Sequence, residues 1–79
     1  MKVRVKLFAA AREKTGQNSV ELTLGSSATI QDLLETLQSV YPELQVVSGR
    51  WAVNLDFVGM DHAVQLGDEV AFIPPTCGG

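Results

Sequence analysis

One helical stripe set among alternating runs constrains this fold more than any other feature. Ile30, Leu33, Leu34, Leu37, Val40 and Tyr41 recur at three- and four-residue spacings, which places them on one side of an α-helix. Thr29 is the expected N-cap, with Asp32 three residues on completing a capping-box variant, and Pro42 ends the helix near Tyr41. Everything else that is periodic repeats every two residues. Lys2–Phe8 puts Val3, Val5 and Leu7 on one face, and residues 19–24 put Val20, Leu22 and Leu24 on one face. Glu69–Ile73 points Val70 and Phe72 inward after a Gly67-Asp68 turn. Trp51–Asn54 and Phe57-Val58 read as a short hairpin turning near Leu55-Asp56, with Trp51 a core or rim anchor. Residues 9–16 read as a short irregular or helical stretch stopped by Gly16, and residues 43–50 as a connection. The order strand, strand, helix, then two or three strands predicts an α+β domain with one main helix covering one face of a sheet.

The chain has 79 residues, enough for one domain with a thin core and little room for an enclosed active site. That favours a carrier or binding module. Six Lys and Arg against nine Asp and Glu leave a net charge of −3, without the basic excess that phosphate neutralisation requires. No nucleic-acid partner is expected. Cys77 is the single cysteine and His62 the single histidine, so neither a disulfide nor a thiolate or histidine metal cluster can be assembled. The apolar run Leu7–Ala11 is too short for a signal peptide, and no run approaches a membrane span, so the expected location is cytoplasmic.

The chemistry points to the end of the chain. Pro74-Pro75-Thr76-Cys77-Gly78-Gly79 cannot extend a paired strand or a helix and reads as a flexible tail over residues 75–79, beyond a domain at 1–74. Two prolines stiffen its root, and two glycines free its tip to thread a narrow slot in another protein. A carboxylate on Gly79 would then be a deliverable chemical group. Strand parity adds a second signal. Phe8 shares the parity of Lys2, Arg4 and Lys6, and Ile73 has the opposite parity to Val70 and Phe72. If the first and last strands are neighbours, Phe8 and Ile73 share the open face of the sheet as an apolar docking patch beside the tail. A covering loop, or a bulge flipping one of them, would remove the patch.

The segments Phe8-Ala9-Ala10-Ala11-Arg12-Glu13-Lys14-Thr15-Gly16, Ala52-Val53-Asn54 and Gly67–Pro75, with the closing Gly78-Gly79, resemble the small-subunit family of molybdopterin synthase. The resemblance runs essentially end to end. It implies a ubiquitin-like β-grasp fold with a mixed sheet of four to five strands. It also implies that a ubiquitin-activating-type adenylyltransferase, consuming ATP, converts the terminal carboxylate to an acyl adenylate, and that sulfur transfer gives a thiocarboxylate on Gly79. The tail would enter the large synthase subunit, in a heterotetramer of two copies each, and convert cyclic pyranopterin monophosphate to molybdopterin. Catalysis proper would belong to the partners, with no cofactor bound by this chain. By the same resemblance Phe8, Phe57 and Ile73 are partner-facing apolar positions, Arg12 is a polar contact, and Pro74, Pro75, Thr76, Cys77 and Gly78 lie along the inserted tail. Arg12 reads nearly as well as an ordinary solvated charge, and His62 reads as a solvent-exposed turn residue rather than a catalytic base. Cys77 reads as a free thiol rather than a sulfur relay. Related carriers serve thiazole, cysteine or tRNA thiolation, and ubiquitin-like modifiers are conjugated to lysines. Those alternatives, and an interaction domain with an inert tail, remain open from the residues alone.

Overall fold

Alternation in the first strand divides the molecule into two faces. In β1 (Lys2–Leu7), Val3, Val5 and Leu7 are buried while Lys2, Arg4 and Lys6 are exposed. The computed structural model describes residues 1–75. Along the chain follow α1 (Ala9–Thr15), β2 (Ser19–Thr23), α2 (Ile30–Val40), a 3₁₀ helix (Pro42–Val46), β3 (Arg50–Val53), β4 (Asp56–Val58) and β5 (Glu69–Ile73). The five strands form one mixed sheet in the order β2-β1-β5-β3-β4. Its centre is a parallel pair, β1 with β5, in which Val5 lies opposite Val70 and Leu7 opposite Phe72. β2 pairs antiparallel with β1, and β3 lies antiparallel to both β4 and β5.

Helix α2 covers the buried face. Its N-terminus carries the expected capping box: the Asp32 N–H donates to Thr29 Oγ1 at 3.3 Å, and the Thr29 N–H donates to the Asp32 carboxylate at 2.9 Å. Two more of its first N–H groups are taken by a loop, Ile30 N–H by the His62 carbonyl at 3.0 Å and Gln31 N–H by the Met60 carbonyl at 2.9 Å. His62, expected in an exposed turn, is therefore half-buried against the helix start. Ile30, Leu33 and Leu37 enter one core with Val3, Val5, Leu7, Trp51, Val53, Val70 and Phe72.

The predicted stripe runs one turn too far. Val40 is 54% exposed and Tyr41 only half-buried. Pro42 cannot continue the α-helix, and the chain tightens into the 3₁₀ helix, where the fully buried Leu44 fills the core in place of Val40. Residues expected to be a plain connection thus carry a core side chain. Trp51 is buried, with its ring 4.8 Å from that of Phe72.

The β3–β4 turn lies one residue earlier than the sequence predicts. Val53 pairs with Asp56, so the turn is Asn54-Leu55. Both residues have positive φ, 52° and 75°, the signature of a type I′ hairpin turn whose backbone twist matches its strands. Asn tolerates that conformation; leucine adopts it at a cost of about 1 kcal/mol or more. A second strained residue, Ala9 at φ 50°, turns the chain from β1 into α1, and Gly16 at φ 70° closes that helix with its N–H on the Arg12 carbonyl at 2.8 Å.

Candidate docking face and tail exit

The sheet face opposite α2 has no covering element among the described residues. Because β1 and β5 are parallel and adjacent, Lys6 stands opposite Ala71, and the next residues, Phe8 and Ile73, each follow a buried neighbour and emerge on this open face. No bulge intervenes along this pair, so both side chains keep the parity of their strands. Phe8 is 40% exposed and Ile73 half-buried. β3 extends the face, since Ala52 pairs with Ala71 on one side and with Phe57 on the other. Phe57 is 54% exposed, and the Arg50 guanidinium lies 3.7 Å from its ring centroid, a cation–π contact that holds the ring in place.

Three shallow grooves meet at Ile73. One of about 210 Å³ is lined by Phe8, Ala52, Leu55, Phe57, Ala71 and Ile73, with the Lys6–Glu69 ion pair (2.7 Å) at its edge. A second, of about 430 Å³, lies between Phe8, Ala9, Arg12, Ile73 and Pro74. The third, of about 490 Å³, is lined by Ser48, Gly49, Arg50, Phe57 and the tail root Ile73-Pro74-Pro75. The expected partner-facing residues Phe8, Arg12, Phe57, Ile73, Pro74 and Pro75 are thus brought to one surface, with a guanidinium on each side of the tail root. Thr76, Cys77, Gly78 and Gly79 lie outside the described residues.

Pro74 is buried and Pro75 exposed. The Ile73-Pro74 backbone is crossed closely by Gly49. A Cβ there would lie 2.8 Å from Phe72 Cε1, 2.9 Å from Pro74 Cα and 3.0 Å from the Ile73 carbonyl oxygen. Sequence reading missed Gly49, Arg50 and Leu55 as parts of this surface. Asn54 between two apolar runs was a usable turn signal for Leu55. For Gly49 no local signal existed, because the crossing is a tertiary contact.

No group of three His, Cys, Asp or Glu side chains converges among the described residues, and none of them is a buried polar or charged residue. The surface has the character of a docking face: apolar at its centre, charged at its rim.

Residues 5–79 match the profile of the ThiS family. The chain belongs to the ThiS family. Among curated relatives, it is 37% identical over 83 residues to the molybdopterin synthase sulfur carrier subunit of Chlamydomonas reinhardtii, covering all of both chains. It is 33% identical over 94 residues to small archaeal modifier protein 3 of Haloferax volcanii, again covering both completely. Among solved structures, SAMP1 from Haloferax volcanii superposes with a TM-score of 0.90 at 28% identity over the whole of both chains. The fold of this ThiS-family chain is the ubiquitin-like β-grasp, with five strands where the sequence left four or five open.

Proposed function

We propose that this chain is a sulfur carrier of molybdenum cofactor biosynthesis, acting as the small subunit of molybdopterin synthase through a C-terminal carboxylate on Gly79. The observation that supports this most directly is the apolar open face converging on the root of a tail that ends Gly78-Gly79. A carboxylate is a poor electrophile. In the proposed cycle an adenylyltransferase partner joins it to the α-phosphate of ATP, releasing pyrophosphate, and a sulfide-level nucleophile then attacks the acyl carbon and displaces AMP. The thiocarboxylate so formed holds sulfur as a tethered nucleophile, which removes the entropic cost of capturing free sulfide. Delivery to cyclic pyranopterin monophosphate takes place in the large synthase subunit, with the open face docking outside and the tail inserted. The assembly is proposed to contain two copies of each subunit.

Intact mass after incubation with the adenylyltransferase, ATP and a sulfur donor tests this reading. Replacement of oxygen by sulfur adds about 16 Da, and fragmentation must place the gain on Gly79. No gain with an active partner would refute it. The Haloferax relative, named a modifier, favours one second reading, in which the same activated Gly79 is joined to lysines. Lysines bearing Gly-Gly remnants of this chain in cell digests would establish that alternative.

A further inference from the structure

Leu55 is the wrong residue for the fold and the right one for a contact. The turn that carries it calls for glycine or asparagine at both central positions, yet leucine occupies the second at φ 75° with 91% of its surface exposed. Folding gains nothing from that side chain. The turn is nevertheless held rigidly: Asn54 N–H donates to the Glu69 carbonyl at 2.8 Å, Glu69 N–H to Asn54 Oδ1 at 3.0 Å, and Asn54 Nδ2 to Asp68 Oδ1 at 3.0 Å. Asp68 is itself fixed by the Gln65 N–H at 2.8 Å. The leucine is thus presented on a pinned loop, and it lines the same groove as Phe8, Phe57 and Ile73.

We propose that Leu55 is an anchor for the protein that accepts the tail, the large synthase subunit of the sulfur-carrier reading on which this inference rests. Continuity selects that occupant. A partner that takes in the tail must cover Ile73 at its root, and Ile73 and Phe57 line both the tail-exit groove and the groove containing Leu55. Arg50 pairs with Ile73 and Val53 with Val70, so the turn begins about 10 Å along β3 from the tail root. The accepting subunit therefore carries an apolar pocket about that far from the mouth of its slot, bordered by polar groups that meet the Lys6–Glu69 pair. A pre-organised anchor loses little freedom on docking, which explains retention of a strained backbone there.

The test uses the full 79-residue chain as wild type, Leu55→Gly and Leu55→Asn, titrated calorimetrically against the large molybdopterin synthase subunit, with thermal unfolding of each. Both substitutions suit the left-handed backbone, so melting temperatures should hold or rise while affinity falls at least tenfold, about 1.4 kcal/mol. A merely structural Leu55 cannot give opposite signs. Affinity within twofold of wild type for both folded variants overturns the proposal. So does a wild-type dimer that both substitutions dissociate while affinity for the large subunit is unchanged, since a second copy would then be the occupant. Failure of the wild type itself to gain sulfur on Gly79 and to bind the large subunit overturns the sulfur-carrier reading along with this one.

Discussion

Replacing Gly49 by alanine tests whether the tail root is held by backbone contact. The added methyl group would lie 2.8 Å from Phe72 Cε1 and 2.9 Å from Pro74 Cα, both inside the closest approach a carbon tolerates. Neither neighbour can retreat easily. Phe72 is 2% exposed with its ring tilted 30° against that of Trp51, and Pro74 directly follows the central strand β5. Overpacking of this kind costs about 1–3 kcal/mol. Alanine also restricts the unfolded chain, which returns about 0.4–1 kcal/mol. Gly49 does not have a positive φ, so no backbone strain adds to the cost.

The net expectation is destabilisation of about 1–2 kcal/mol. For a domain of this size each kcal/mol moves the melting temperature by about 4–8 °C, so Gly49→Ala should melt roughly 5–15 °C below wild type in a calorimetric scan. The Ile73 and Arg50 amide resonances should shift more than those of β2, because relief of the clash moves the tail root. An unchanged or raised melting temperature would refute the reasoning, since it would mean that the crossing opens at no cost and that Gly49 does not hold the Ile73-Pro74 backbone.

Two further outcomes follow from the described contacts. Thr29→Ala removes the hydroxyl that receives the Asp32 N–H, and should lower the urea midpoint by the equivalent of about 1 kcal/mol with an unchanged denaturant slope. Ile73→Asp places a charge where all three grooves meet; the side chain is half-exposed, so the fold should survive while affinity for the tail-accepting partner drops at least tenfold by calorimetry, and retained affinity would remove the open face from the interface.

Which parts of this surface were legible follows from how far each depends on distant contacts. Phe8 and Ile73 were legible because strand parity is local and the parallel β1–β5 pair adds no bulge. The helix start was legible because Thr29 and Asp32 act on their own backbone. Its end was not: Val40 keeps the helical period, but whether it is buried depends on Leu44 arriving from the next turn. The face of Phe57 could not be read from the residues, because a hairpin turn displaced by one residue reverses every side chain after it. Gly49 has no local signature, since a glycine at ordinary φ declares its role only through the backbone that crosses it.

The two strained non-glycine positions bordering the grooves argue that this face has a use other than folding. The buried apolar side chains already satisfy the α2 side of the sheet, and a chain of 79 residues has little stability in reserve. Strain at Ala9 and Leu55 therefore has to persist for what each position places. At Ala9 the positive φ turns the chain directly from β1 into α1, which swings Arg12 back beside Pro74 on the same groove as Phe8. At Leu55 it aims an exposed leucine over the far end of the face. Glycine at either position would relax the backbone, yet it would loosen the placement of Arg12 at one site and delete the anchor at the other. Both strained residues thus trade stability for a fixed surface around Ile73 and Pro74, as docking in a single orientation requires.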